Sequence, residues 1–140
     1  MSDELNEVLS ANARFYKALE RGDLDLMTEV WFKDEIAKCV HPGWPMLTGW
    51  DSIRESWSTI FSGGGPAKVE LSDIHTEVIE DVAWITCIEQ ITQRVGEVFQ
   101  TGLAQATNIF ERHGSNWLLV LHHASPVPIR MKDVAEETLQ

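Results

Sequence analysis

Apolar residues near the start of the chain recur at helical spacing. Between positions 3 and 21 they lie mostly three or four residues apart: Leu5, Val8, Leu9, Phe15, Tyr16 and Leu19. This spacing predicts an amphipathic helix over 3–21. Ser2 or Asp3 is available to cap its first turn, and Gly22 follows its last residue.

Two further helices are predicted before residue 66. Asp23 can cap a short helix within the sequence DLDLMTEVW, residues 23–31, in which apolar residues again follow helical spacing. The sequence EIAKCV is typical of a short strand. In WDSIRESWSTIF, residues 50–61, Ile53, Trp57 and Ile60 share one face, which predicts a third helix. The sequence SGGGP, residues 62–66, then ends the helical part of the chain.

From Ala67 onward the hydrophobic pattern is that of strands. Four such runs follow in order, separated by turns of hairpin length: residues 68–79, 82–94, 98–112 and 117–125. Three helices followed by an antiparallel meander is the α+β pattern, in which helices gather on one face of a curved sheet. We therefore predict an α+β fold.

The last predicted strand is apolar on both faces. Trp117, Leu119 and Leu121 alternate with Leu118, Val120 and Ala124. Because the helices cover only one face, we expect a second copy of the chain to cover the other, giving a homodimer through the sheet. We expect a single domain over 1–128 and a polar tail over 129–140.

Length and charge narrow the class of partner. A chain of 140 residues is long enough to form one domain with a full hydrophobic core. Its 11 basic and 22 acidic residues give a net charge of -11. Because such a charge repels phosphate backbones and anionic headgroups, we expect neither nucleic acid nor a membrane as a partner.

The remaining composition favours a cytoplasmic protein. Cys39 and Cys87 lie in apolar, strand-like surroundings, where an unpaired cysteine behaves as a small buried hydrophobe. The opening MSDELNEV has neither the basic nor the apolar segment of a signal peptide. No apolar run approaches the length of a membrane span.

One irregular segment concentrates aromatic and turn residues. It is KCVHPGWPMLTGW, residues 38–50. Pro42 and Pro45 exclude a helix interior, Gly43 permits a turn, and Trp44 offers a large apolar surface. With His41 beside them, these residues predict a shaped loop that lines a pocket.

Three motifs carry a resemblance to a known superfamily. They are RGDLD after the first helix, HPGWPMLTGWDSI before the third helix, and ATNIFERHGSNWLLVLHHAS at the end. Through them residues 5–127 resemble the nuclear transport factor 2-like superfamily, more narrowly its SnoaL-like branch and the association domain of calcium/calmodulin-dependent protein kinase II. The resemblance implies a cone-shaped, cystatin-like roll: a strongly bent, mostly antiparallel sheet wrapped around three helices, enclosing a pocket and usually dimeric.

Ketosteroid isomerase is a relative whose catalytic groups can be carried over by this resemblance. They are an aspartate base, a tyrosine and a protonated aspartate. The resemblance places them at His41, Phe15 and near Asn108 respectively. Because Phe15 has no hydroxyl and Asn108 is not an acid, steroid isomerisation of that type is not favoured.

The kinase association domain offers a second comparison. Its pocket arginines fall, by resemblance, on Glu89 and Asn108. Neither residue is basic, so the resemblance does not support a pocket that selects carboxylates.

Two residues are candidates for acid–base chemistry on their own properties. The imidazole of His41 titrates near neutral pH, which suits a general base or a ligand-orienting donor; the alternative is a loop histidine bonded to backbone. Glu89 shares a strand face with Ala83, Ile85 and Cys87. A carboxylate there needs a partner, a raised pKa or a place at the dimer face. We include Asn108 with them as a catalytic candidate.

The histidines near the end do not predict a metal site. His122 and His123 are neighbours on a strand, so their side chains point to opposite faces and cannot chelate one metal. At most one of the two faces the pocket; we assign His123 to it, and the sequence alone leaves open whether it is His122 or His123. We expect neither a metal nor another cofactor.

Four aromatic residues complete the predicted pocket: Phe15, Trp31, Trp44 and Trp57. Trp44 is the one that we expect to face a ligand. For Trp31 and Trp57 an ordinary core position is favoured over ligand contact, because Trp57 lies at helical spacing with Ile53 and Ile60.

Two functional hypotheses remain from the sequence. In the first, the protein binds a small hydrophobic or aromatic molecule and, if it is an enzyme, acts as a cofactor-independent isomerase, cyclase or hydratase/lyase. In the second, it is an assembly domain whose pocket has no role.

Overall fold

The computed structural model describes residues 2–128 of the chain. Three helices come before the main sheet: α1 (Ser2–Arg21), α2 (Leu24–Val30) and α3 (Trp50–Ser62). The six strands are β1 (Lys38–Val40), β2 (Leu47–Thr48), β3 (Ala67–Ile79), β4 (Val82–Val95), β5 (Val98–His113) and β6 (Asn116–Val127). The predicted polar tail over 129–140 lies outside the described residues.

Local chemistry fixes the helix ends near their predicted positions. Asp23 precedes α2, and its Oδ1 accepts a hydrogen bond from the backbone nitrogen of Leu26 at 3.0 Å, which confirms the predicted cap. Gly22 ends α1 with a φ of +61°, a conformation that glycine adopts without strain. Helix α2 stops before Trp31, whose extended backbone forms a bridge with Leu119.

The sheet is mixed and mostly antiparallel. Its strand order is β2-β1-β6-β5-β4-β3, and only β1 and β6 run parallel. The predicted strand EIAKCV is shorter in the structure, because Asp34 Oδ1 accepts from the backbone nitrogen of Ile36 and turns the chain before β1 begins. The two-residue strand β2 was not predicted. The α+β prediction is confirmed.

Two irregularities interrupt the long strands. The register between β3 and β4 shifts between Ser72 and His75, where Asp73 has a φ of +52°. A second shift lies between Ile109 and Phe110 in β5. Such bulges bend a sheet and increase its twist, so β3 to β6 can curve around the helices.

The aromatic core lies between the sheet and α1. Phe15 is fully buried at its centre and makes edge contacts with Tyr16, Trp31 and Trp57, with ring centroids 4.8, 6.5 and 5.7 Å away. Trp31 is fully buried and also contacts Trp50. This packing confirms the core position favoured for Trp31 and places it away from solvent.

The two faces of the central strands differ in burial. Along β4 the residues that face the helices are buried, from Ala83 to Glu89, while the alternate residues remain partly exposed. Four large apolar residues lie on that outer face: Trp84, Ile88, Leu103 and Ile109. Within residues 2–128, no helix is long and apolar enough to cross a membrane.

Candidate functional site

A cavity of about 190 Å³ lies between α1, α3 and the inner face of the sheet. Its apolar wall is formed by Leu19, Trp57, Ile60 and Ile91. His41, Glu89, Gln93 and His122 contribute polar atoms. The exposed residues Pro42 and Trp44 place its opening at the predicted aromatic loop.

Glu89 lies at the bottom of this cavity. Strand alternation turns its side chain inward, where it is only 1% exposed. The Tyr16 hydroxyl donates to Glu89 Oε2 at 2.6 Å. Burial raises the pKa of the Glu89 carboxyl to about 7, although the tyrosine hydrogen bond acts in the opposite direction. The carboxyl can therefore gain or lose a proton near neutral pH.

Asn108 on β5 holds the tyrosine in place. Its Nδ2 donates to the Tyr16 hydroxyl at 3.0 Å and to Asn12 Oδ1 at 2.9 Å, and all three side chains are buried. Burial, and next the nearby charge of Glu89, raise the pKa of Tyr16 far above its usual value. The hydroxyl therefore remains protonated and directs its hydrogen at Glu89.

His122 on β6 completes the polar cluster. Its Nδ1 lies 2.5 Å from Asn108 Oδ1. Because Nδ2 of Asn108 already donates to two oxygens, Oδ1 is the accepting end and His122 Nδ1 carries the hydrogen. Burial lowers the pKa of His122 to about 3, with smaller contributions from His41 and His123. The neutral ring therefore has its lone pair on Nε2.

His122 and Glu89 are close enough for one group bound in the cavity beside them to contact both. His122 Nε2 lies 4.0 Å from Glu89 Oε2. Because the imidazole is neutral and the distance is at the limit of contact, the two side chains do not form an ion pair. A hydroxyl or water oxygen between them can lie within hydrogen-bond distance of both.

His41 occupies the wall at the end of β1. Its Nε2 lies 2.8 Å from Ser56 Oγ, and that hydroxyl donates to the carbonyl of Ile53 at 2.6 Å. Since Ser56 has used its one hydrogen, His41 Nε2 is the donor and Nδ1 is left without a proton. Burial lowers the pKa of His41 to about 4, so the ring is neutral at neutral pH.

Aromatic rings hold the His41 side chain from two directions. Trp57 packs edge-on at 4.6 Å and Trp44 at 4.8 Å between centroids. Cys39 Sγ lies 3.7 Å from His41 Nε2. Burial, followed by the charge of Glu89, raises the pKa of the Cys39 thiol, so it is not a thiolate nucleophile.

The rim loop is a turn that presents Trp44. The backbone nitrogen of Trp44 donates to the carbonyl of His41 at 2.9 Å, and Gly43 between them has a φ of +83°. Trp44 is 39% exposed, in contrast to the buried Trp57. Trp44 therefore lies at the opening, where a ligand can contact it.

The structure brings most of the predicted site residues together. His41, Trp44, Trp57 and Glu89 line the cavity, and Asn108 supports it from beneath. Phe15 lies behind the cavity, against the rings of Trp57 and His122. Trp31 is not among the residues of the cavity wall.

The assignment of His123 to the pocket does not match its position. His123 is exposed and pairs with Thr107 on the outer face of the sheet. The adjacent His122 points inward, because neighbouring residues of a strand face opposite sides. The structure thus replaces His123 with His122 at the cavity.

Sequence reasoning missed Tyr16, Asn12 and Ser56. Tyr16, the neighbour of Phe15 on α1, is the residue whose hydroxyl reaches Glu89. Asn12 carried a signal: it lies four residues after Val8 and four before Tyr16, on the buried face of α1. A polar residue on an apolar helix face needs a buried partner.

A metal centre has no support from the described residues. Across residues 2–128, no three His, Cys, Asp or Glu side chains are grouped so that they could hold a metal ion. The chemistry available in the cavity is that of a carboxyl, a hydroxyl and two neutral imidazoles.

Comparison with known proteins links the sequence and the fold to one family. The sequence profile of the SnoaL-like domain matches residues 8–130. A proposed dehydratase of the nuclear transport factor 2-like family from Streptomyces avermitilis is 32% identical, with a TM-score of 0.87, over 92% of this chain and 100% of that one. The expected cone-shaped, cystatin-like roll is therefore confirmed.

Two further relatives point towards assembly domains and larger proteins. A proposed association domain of calcium/calmodulin-dependent protein kinase type II from Thiobacillus denitrificans is 30% identical, with a TM-score of 0.76, over 84% of this chain and 93% of that one. The F-box protein SKIP8 of Arabidopsis thaliana is 25% identical over 118 residues, 84% of this chain and 48% of that protein. The chain thus spans about half the length of this last relative.

Proposed function

The chain belongs to the SnoaL-like domain family, and from that premise we propose that it is a cofactor-independent enzyme of the dehydratase type, acting on a small hydrophobic molecule. The observation that carries the proposal is the buried polar cluster beneath the cavity, which comprises Tyr16, Glu89, Asn108 and His122. The proposed dehydratase from Streptomyces avermitilis supports the reaction class.

The cost of this cluster argues for a chemical role. Burying a carboxyl or an imidazole without water is unfavourable, and apolar residues of similar size would fill the same space. A cavity that only binds an apolar molecule, or a domain that only assembles, does not need them. Perturbed titratable groups in a cavity are typical of catalytic sites.

Glu89 has the properties of the general acid. Its pKa of about 7 keeps a proton on a substantial fraction of the carboxyl at neutral pH. Tyr16 donates to one oxygen, which orients the group and leaves the other oxygen for a substrate. Asn108 fixes Tyr16 in turn, so Asn108 acts as a positioning residue.

His41 has the properties of the base. Its Nδ1 carries the lone pair because Ser56 holds the other nitrogen, and Cys39 Sγ lies 3.9 Å from Nδ1. In an elimination, His41 takes a proton from the carbon beside a carbonyl, and the electron pair of that bond forms the carbon–carbon double bond. The carbon–oxygen bond breaks, and the oxygen leaves as water with the proton of Glu89. Return of the proton from His41 to Glu89 restores the site.

A turnover assay tests this function. We expect the purified protein to convert at least one β-hydroxy ketone of one-ring size into its conjugated enone, followed by the rise in ultraviolet absorbance. Glu89→Gln and His41→Gln should each lower the rate by about 10²-fold or more. His123→Gln, on the outer face, is the matched control and should leave it unchanged. A rate that survives Glu89→Gln contradicts the proposal.

Assembly is a second function, favoured by the outer face of the sheet. Trp84, Ile88 and Ile109 lie there with part of their surface exposed. The likeness to a proposed kinase association domain supports assembly as a function. We infer a twofold homodimer through this face, which is compatible with catalysis inside each cone. Light scattering at micromolar concentration should give twice the chain mass, and Ile109→Asp should lower it; a monomer contradicts the dimer.

A further inference from the structure

The size of the cavity corresponds to a single ring. Its volume is about 190 Å³. A cavity of ~150 Å³ holds benzene, whereas sites for drug-sized ligands measure roughly 300–1,000 Å³. A six-membered ring with one or two small substituents therefore fills the space, and a polycyclic molecule does not fit. A longer substituent can leave past Pro42 and Trp44 at the opening.

The described lining of the cavity provides no counter-ion for an anion. Among residues 2–128, none that lines the cavity is a lysine or an arginine. Burial lowers the pKa of His41 to about 4 and that of His122 to about 3, so both imidazoles are neutral at neutral pH. A carboxylate or phosphate would lose its hydration on entry without gaining an opposite charge.

The groups that surround Glu89 are also uncharged. Tyr16 faces it from α1, Cys39 lies on β1, Cys87 precedes it on β4, and His122 faces it from β6. Burial raises the pKa of the tyrosine hydroxyl and of both thiols, so each keeps its proton. With Glu89 protonated, the whole cavity is electrically neutral.

The gap between Glu89 and His122 has the hydrogen-bonding pattern of an alcohol. A protonated carboxyl offers one hydrogen, on Oε1 because Oε2 accepts from Tyr16, and His122 Nε2 offers one lone pair 4.0 Å from Oε2 of the same carboxyl. A hydroxyl accepts the first and donates to the second. An ether or a ketone can only accept, so it leaves Nε2 without a partner.

We infer that the cavity takes an uncharged alcohol with one ring, or a branched chain of that size, whose hydroxyl lies between Glu89 and His122. This inference rests on the proposed function, in which that hydroxyl is the leaving group. It goes further by naming the charge, the size and the group that is recognised.

Ligand-detected NMR at pH 6 with three matched probes tests the inference: benzyl alcohol, benzyl methyl ether and benzoate. We expect the alcohol to bind about tenfold more tightly than the ether, the effect of one buried hydrogen bond. Benzoate should not displace the alcohol. If the unmodified protein binds the alcohol and the ether with equal affinity, or binds benzoate tightly, the inference is overturned.

A pair of variants tests whether the preference for the alcohol over the ether depends on His122. An asparagine amide nitrogen can replace His122 Nδ1 as the donor to Asn108, but it leaves no acceptor at the position of Nε2. His122→Asn should therefore abolish the tenfold preference for the alcohol, while His123→Asn, on the outer face, should keep it. A preference that persists in a folded His122→Asn variant, shown by circular dichroism, would also overturn the inference.

Failure of this inference can be told apart from failure of the proposed function. The NMR experiment measures binding and needs no turnover. If the alcohol preference is found but no β-hydroxy ketone is dehydrated, the function is wrong and the ligand class stands. If dehydration occurs only with anionic or polycyclic substrates, the ligand class is wrong and the function stands.

Discussion

The floor and the rim of the cavity differ in how firmly their side chains are held. The floor consists of side chains that are buried and hydrogen-bonded to one another: Tyr16, Glu89, Asn108 and His122. The rim consists of Pro42 and Trp44, which are exposed, and the Trp44 ring makes an edge contact with His41. Both regions belong to the same cavity of about 190 Å³.

This difference separates stability from recognition. A change in the floor leaves a buried polar atom without its partner, so it alters folding stability together with the chemistry of the site. A change at the rim removes surface that is already in contact with water, so it alters mainly ligand contact. Substitutions in the two regions should therefore have distinguishable signatures.

The tryptophans give the largest expected contrast. Trp57 is buried against His41, Phe15 and His122, so Trp57→Ala should lower the free energy of unfolding by about 3–5 kcal/mol. Trp44→Ala should lower it by less than about 1 kcal/mol, because its ring is 39% exposed. Urea denaturation measures both. Equal, large losses would place Trp44 in the core and remove the distinction between rim and floor.

The pH dependence of stability gives the next contrast. Because the pKa of Glu89 is raised from 4.5 to about 7 on folding, its contribution to stability is present below pH 4.5 and is lost as pH rises to about 7. Glu89→Gln should remove this loss and make the variant more stable than the unmodified protein at pH 8, by on the order of 3 kcal/mol.

Comparing the unmodified protein with the Glu89→Gln variant at each pH isolates the contribution of Glu89 to stability. His41 and His122 act in the opposite sense: their lowered pKa values make stability fall as pH drops below 6.5. Both proteins share these histidines, so their contribution cancels in the difference. Parallel curves of unfolding free energy between pH 5 and 8 would show that Glu89 has an ordinary pKa.

The neighbouring histidines give the smallest contrast. His122 packs against Phe15 with ring centroids 4.8 Å apart, so His122→Asn leaves unfilled space and should cost about 1–3 kcal/mol. His123→Asn on the exposed outer face should change stability by less than about 0.5 kcal/mol. Thermal or urea unfolding of the two variants at pH 7 measures the difference. Similar losses of stability in the two variants would contradict the assignment of His122 to the inner face of β6 and His123 to its outer face.

The sequence predicted the elements better than the polar contacts. The three helices and four long strands follow from hydrophobic period and from turn residues such as Gly22, because those signals are local. The strand β2 was missed because two residues are too few to show a period. The parallel pairing of β1 with β6 depends on residues more than eighty positions apart, which no local pattern encodes.

The candidate site was predicted in part, for a similar reason. Glu89 was found because a carboxylate on an apolar strand face is conspicuous. The choice between His122 and His123 depends on the strand register, which the bulge at Ile109 and Phe110 sets. Tyr16 was passed over because the resemblance placed the tyrosine position at the neighbouring Phe15, and only the contact with Glu89 separates the two residues.

The pKa of Glu89 is the most direct test of the claim that the floor is an acid–base site. Carbon-detected NMR of the glutamate carboxyls, with Glu89→Gln to identify the resonance, follows its titration between pH 3 and 9. The structure predicts a midpoint at about 7, because burial outweighs the Tyr16 hydrogen bond. A midpoint near the ordinary value of 4.5 would mean that Glu89 is ionised at neutral pH, and it would contradict the assignment of Glu89 as the proton donor.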